Sequence, residues 1–170
     1  MLDVSGNVGL LALSYVRGRR LWRSRRPGAY ASGHPTARSG RMAPMRRSDQ
    51  RRDAIFACYQ RDVTGRPLEE LVAESRPFTR ELAAGVEAHR DELDAYIARH
   101  AKGWELERIA PLERNVMRVA LYEIEHSDDV PTEVAIDEAI EIAKEYCGAD
   151  APGFINGVLG AIAREREGVR

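Results

Sequence analysis

From Ser48 onward, apolar residues recur with a period close to 3.6, the mark of helices that each bury one face. Ser48 is expected to cap a helix running to about Val63, with Ile55, Cys58, Tyr59 and Val63 on one stripe. Gly65 closes that helix, and Pro67 opens a short one through Leu71 and Val72. A single long helix is predicted from about Pro77 to His100, its inner face formed by Phe78, Leu82, Val86, His89, Leu93, Tyr96 and Ile97. Gly103 interrupts the chain, and Trp104, Leu106 and Ile109 make a short apolar turn. Pro111 suits the first position of the next helix, which buries Leu112, Val116, Val119, Ala120 and Ile124. After the loop Ser127-Asp128-Asp129-Val130-Pro131, Thr132 is expected to cap a helix through Ile136, Ala139, Ile140 and Ala143 to about Cys147. A last helix covers Ala151 to about Glu167, with Phe154, Ile155, Val158, Leu159 and Ile162 inward. No segment alternates with period 2 between hairpin turns, so the fold class is all-α, with about six or seven helices.

Composition first changes this picture through charge. The 170 residues carry a formal net charge of -1, which argues against a nucleic-acid partner only until it is divided along the chain. Residues 1–44 hold eight arginines and one acid, Asp3, giving +7, and the remainder carries -8. Residues 17–47 are rich in Arg, Gly, Ser and Pro and show no sustained period, so they bury too little apolar surface to offset the entropy of ordering. Residues 1–45 are therefore set apart as a basic extension of a helical domain over residues 46–170. Two readings fit the extension: a flexible arm that touches RNA phosphates, or a stretch upstream of a later translation start at Met42 or Met45.

Several classes of chemistry are excluded. Cys58 and Cys147 lie in apolar helical patterns and are expected to be reduced thiols rather than a disulfide framework. The longest apolar run, Val8 to Val16, is far short of the roughly 20 residues that span a bilayer, and its arginines follow it where a signal peptide would have them first. The expectation is a cytoplasmic protein without membrane attachment. No nucleophile, base and orienting group are placed as a hydrolase needs. Among the four histidines, His89 sits on an apolar stripe and reads as a core residue rather than a base. No Gly-rich phosphate loop is present, and no Cys/His cluster has zinc spacing. Asp128 and Asp129 are explained by a solvated loop. No enzyme activity, metal or cofactor is expected.

Two features are compatible with RNA. Arg46-Arg47-Ser48-Asp49-Gln50-Arg51-Arg52 packs four arginines into seven residues, and Arg47 and Arg51 share a helix face by their spacing of four. Guanidinium forks suit phosphate oxygens and stack on unpaired bases. A solvated helix end pairing with Asp49 and Asp53 accounts for the same pattern. Downstream, Gly148-Ala149-Asp150-Ala151-Pro152-Gly153-Phe154 is a tight loop opening the last helix. Phe154 can stack on a base or anchor the core.

Several segments together resemble the NusB family of bacterial transcription antitermination factors. They are Leu112-Glu113-Arg114-Asn115-Val116-Met117-Arg118-Val119-Ala120-Leu121-Tyr122-Glu123-Ile124, then Asp129-Val130-Pro131, Val134 through Lys144, and Phe154-Ile155-Asn156-Gly157-Val158-Leu159. The Arg-rich opening followed by Ala57-Cys58-Tyr59 fits the family's first helix. The resemblance covers about residues 46–167 and is most specific in the C-terminal half.

The resemblance implies two packed helical subdomains and a function without catalysis. It implies binding of the boxA element of nascent ribosomal RNA together with the small ribosomal protein NusE, in a complex with RNA polymerase that suppresses premature termination. By position it implies RNA contacts at Arg46, Arg47, Arg51, Arg52, Asp150 and Phe154, and a NusE-facing surface at Tyr59 and Glu113. Gly153 stands where the family often has a basic residue, which weakens the RNA contact. The extension has no counterpart in the family pattern. Two other functions remain open: a structural module whose homodimer hides the RNA face, and a fragment of a ribosomal RNA cytosine methyltransferase, although the chain to Arg170 leaves no room for a cofactor-binding α/β domain.

Overall fold

The computed structural model describes residues 46–169, and the expected basic extension over residues 1–45 lies outside the described residues. Every regular element among them is helical. The elements are α1 (Arg47–Thr64), α2 (Leu68–Leu71), α3 (Pro77–Ala88), α4 (Arg90–His100), a 3-10 turn (Leu106–Arg108), α5 (Pro111–His126), α6 (Thr132–Tyr146) and α7 (Ala151–Val169). No helix among the described residues is long and apolar enough to cross a membrane.

Most helix boundaries follow local chemistry. Pro77 and Pro111 occupy the first helical position, where the missing N–H is one that no helix could satisfy. Gly65 ends α1 with φ 69°, and its N–H donates to the Arg61 carbonyl at 2.9 Å. The expected caps differ. α1 starts one residue before Ser48, whose hydroxyl instead donates to Glu138 of α6 at 2.8 Å. Thr132 is the first helical residue of α6, and Pro131 holds the capping position. Val63, placed on the buried stripe by its spacing, is 41% exposed.

The predicted helix from Pro77 to His100 is two helices that meet at His89 (φ -106°, ψ 15°). Neither Pro nor Gly marks the break, and the apolar spacing runs through it, so no local signal announces it. Packing supplies the reason: α3 lies against α1 and α5, whereas α4 lies against α5 and α7. One straight rod cannot follow both surfaces.

Helix α5 is the central member of the fold, touching α1, α3, α4, α6 and α7. Val116, Met117 and Leu121 on α5 are fully buried against Ile55, Leu93, Ile97, Ile155, Leu159 and Ile162 in one continuous core. Burying each such Leu or Ile side chain contributes about 1.5–3 kcal/mol. Cys58 lies in this core, and burial first, then the nearby charge of Asp62, pushes its thiol up to about 12. Cys147 follows α6 as its half-buried C-cap, outside the helix expected to contain it, and burial likewise pushes its thiol to about 12.

A second buried layer is ionic. Arg118 of α5 is 2% exposed and grips Asp94 of α4 through Nε and Nη2, both at 2.6 Å, while its Nη1 donates to Asp62 of α1 at 2.7 Å. Asn115 donates to the same Asp62 oxygen at 2.9 Å and to the Pro111 carbonyl at 2.8 Å. Arg90, the first residue after the break, also pairs with Asp62. Burial raises the Asp62 carboxyl. Hydrogen bonds from Arg90 and Asn115, with the charges of Arg118 and Arg90, outweigh it and hold the group below the usual carboxylate range. The network thus sets how α1, α4 and α5 meet.

Candidate nucleic-acid interface

The start of α1 separates its four arginines. Arg46 and Arg47 are exposed, and Arg47 lays its guanidinium 4.2 Å from the centroid of the Phe78 ring on α3. Arg52 is half-buried, pairs with Asp49 at 3.0 Å and hydrogen-bonds Tyr146 at the end of α6. Phe56 meets that same Tyr146 ring edge-on, with centroids 5.0 Å apart.

Arg51 behaves differently. It does share a face with Arg47, since its guanidinium also stands over Phe78, at 5.9 Å. That face turns into the fold at Arg51, which is only 7% exposed. Its Nε donates to both oxygens of the buried Glu123 carboxylate at 2.9 and 2.7 Å, and Nη1 lies 3.8 Å from Glu138. The crevice beside these groups encloses about 10 Å³, room for one water at most. In this structure Arg51 is a tie between α1, α5 and α6, and its charge is neutralised inside the protein.

At the start of α7 the Asp150 carbonyl accepts the Phe154 N–H at 3.1 Å, and the Asp150 side chain is exposed in the loop. Phe154 is half-buried: one part of the ring packs on the core, and Trp104 approaches it with centroids 5.8 Å apart. Trp104 was expected in an apolar turn, yet it is 53% exposed. The two rings, with Lys102, His100 and Gly153, line an open groove of about 320 Å³. Trp104 and Lys102 are the functional candidates that sequence reasoning missed. Their signal is a large aromatic beside one of only two lysines after the glycine turn at Gly103.

Arg47 with Phe78 and Phe154 with Trp104 form separate contacts. Tyr59 sits 6% exposed on α1, and burial raises its phenol. Glu113 is half-buried in the first turn of α5, and burial raises its carboxyl. Its charge also reaches Cys147, which places the start of α5 beside the end of α6. Asp128 and Asp129 are exposed loop residues.

Gly153 is exposed, and a side chain built there meets nothing within 4 Å. Gly153→Lys is therefore expected to fold normally, to gain up to about 1 kcal/mol from replacing a helical glycine, and to bring a cation to the groove. Its melting temperature and its RNA affinity should both rise. An RNA affinity equal to wild type at low salt would count against the groove.

The NusB family profile matches residues 48–164. A transcription antitermination protein NusB of Symbiobacterium thermophilum is 39% identical over 142 residues, 73% of this chain and 93% of that protein. The protein of the same description from Rubrobacter xylanophilus is 43% identical over 122 residues, 68% of this chain and 88% of its own. Among solved structures, a T. maritima NusB superposes with a TM-score of 0.68 at 32% identity, covering 72% of this chain and 94% of that one.

Proposed function

The chain belongs to the NusB family, and from that premise we propose that it binds single-stranded boxA-type RNA together with NusE and acts in antitermination of ribosomal RNA transcription. The observation that carries the reading is the open groove where Trp104 and Phe154 present their rings beside Lys102. Aromatic faces at an open groove accept bases of any sequence, and a neighbouring cation holds the backbone. Arg46, Arg47 and Arg52 at the start of α1 extend the phosphate contacts, and Asp150 lies in the loop that leads to Phe154. Tyr59 and Glu113 mark the side proposed to meet NusE, where Tyr59 offers little surface of its own.

Charge shapes the rest of the proposal. Residues 45–170 carry -8, so the cationic strip is local and the body attracts a basic partner such as a ribosomal protein. RNA binding alone is then modest and salt-sensitive, and the partner strengthens it. The protein works as a cytoplasmic adaptor at RNA polymerase, by binding rather than by catalysis.

Titration with boxA RNA, with and without NusE, tests the site. Phe154→Ala is expected to weaken binding by about 1–3 kcal/mol for the base it stacks, roughly 5- to 150-fold. Arg47→Ala with Arg52→Ala is expected to flatten the salt dependence by about 0.7 in log–log slope per lost phosphate contact. Unchanged affinity and salt dependence in both variants, with NusE present, would sink the assignment.

A further inference from the structure

We propose that His89, Glu92 and His126 form a site for a borderline divalent cation such as Zn²⁺, at the corner where α3 and α4 meet the end of α5. Their donor atoms all lie within 4.8 Å of one another, and they come from two separate parts of the chain. Nothing in the proposed RNA or NusE contacts uses them.

The corner is built in three layers. The first is the ring of Tyr122 on α5, which lies against α3 at Gly85 so closely that any β-carbon there would overlap the ring. Glycine at this position is what allows the ring to sit there. The second layer is the pair of imidazoles packed on that ring. His89 and His126 stand 5.5 and 4.9 Å from Tyr122, and 4.1 Å from each other. The third is Glu92, one turn along α4 from His89, exposed together with His126 at the mouth.

Orientation of the inner imidazole is set by a hydrogen bond. A carbonyl oxygen can only accept, so His89 Nδ1 carries the proton and donates to the Gly85 carbonyl at 3.0 Å. Nε2 is then the nitrogen with the free lone pair, and metal-binding histidines are held by this kind of second hydrogen bond. The neighbouring cation, Arg90, is engaged with Asp62 and Glu87. Two imidazoles and one carboxylate are the donor set that zinc accepts with water in its remaining position, at about 2.0–2.2 Å per ligand. Drawing the donors in to that range requires rotation of Glu92 and His126, both of which are exposed. The break at His89, for which the sequence offers no local reason, is what brings this imidazole to face the last residue of α5.

A cation here pins the α3–α4 corner to α5, and a ligand bound only by the folded chain raises its stability by mass action. The test is calorimetric titration of the untagged full chain with ZnCl₂, paired with melting curves and with the visible absorption of Co²⁺ as a coordination probe. The expected result is one saturable site per chain, a zinc-dependent rise in melting temperature reversed by EDTA, and a Co²⁺ spectrum with nitrogen ligation. His126→Gln, an exposed change that leaves the fold intact, is expected to weaken binding at least tenfold, as is Glu92→Gln. His100→Gln, at the unrelated contact with Glu165, should leave binding unchanged. Absence of a one-to-one site, or a site that His126→Gln does not weaken, overturns the proposal.

Discussion

Arg118→Ala is expected to destabilise the protein by about 3–5 kcal/mol, a larger loss than removing most core methylenes. The reason is the company it leaves. Asp94 loses a bidentate partner and Asp62 loses one of the three cations that pair with it, Arg61, Arg90 and Arg118, all within a network where Arg118 is 2% exposed. An uncompensated carboxylate in that setting costs more than the pair contributed. The melting temperature should fall by more than about 10 °C for a domain of this size. The loss has a pH signature. Asp62 is held below its ordinary value of 3.8, so its stabilising share is complete above about pH 4 and disappears as pH falls through the lowered value. The gap between wild type and variant is therefore widest above that pH and narrows on acidification, as Asp62 protonates. A gap of constant width from pH 7 to pH 2, measured by denaturant titration, would rule out this account.

Arg51→Ala is expected to be the second most damaging single change, at roughly 3–5 kcal/mol, because it strands the Glu123 carboxylate, which is 1% exposed. Arg47→Ala, four residues earlier, is expected to fall within about 0.5 kcal/mol of wild type, as exposed substitutions do. Denaturant midpoints of the two variants side by side distinguish the roles. The contrast matters for RNA. Loss of binding in an Arg51 variant should track the unfolded fraction, whereas loss in an Arg47 variant should appear in a fully folded protein. Equal stability of the two variants would return Arg51 to the proposed RNA contacts. Arg51→Lys is no conservative substitute, since a single ammonium nitrogen cannot stand where Nε meets Glu123 and where Nη1 faces Glu138 at the same time.

Much of the fold is legible in local pattern. The 3.6-residue period places Val116, Val119, Ile155 and Leu159 inside, and the all-helical class follows without any long-range knowledge. Pro111 and Gly65 mark boundaries because proline and glycine restrict or permit particular backbone angles by themselves. The segments from Leu112 to Leu159 also carry the family resemblance, which the profile match over residues 48–164 bears out.

What periodicity cannot show is where a polar group goes once helices meet. Arg47 and Arg51 are equivalent on a helical wheel, yet one covers Phe78 at the surface and the other ends on Glu123. The difference comes from α5 and α6 arriving over the second turn of α1. His89 continues an apolar stripe, yet it sits at a break that α1, α5 and α7 impose on α3 and α4 from outside. Trp104 reads as part of a short apolar turn and is half exposed, because no helix among the described residues covers the groove beside Phe154. The sequence by itself determined the helices, their buried faces and the family, since those depend on neighbours a few residues apart. Only the tertiary structure decided which charges are neutralised inside and which aromatics stay open to a ligand. Burial and ion pairing are properties of contacts between distant segments, and no window of sequence contains both partners.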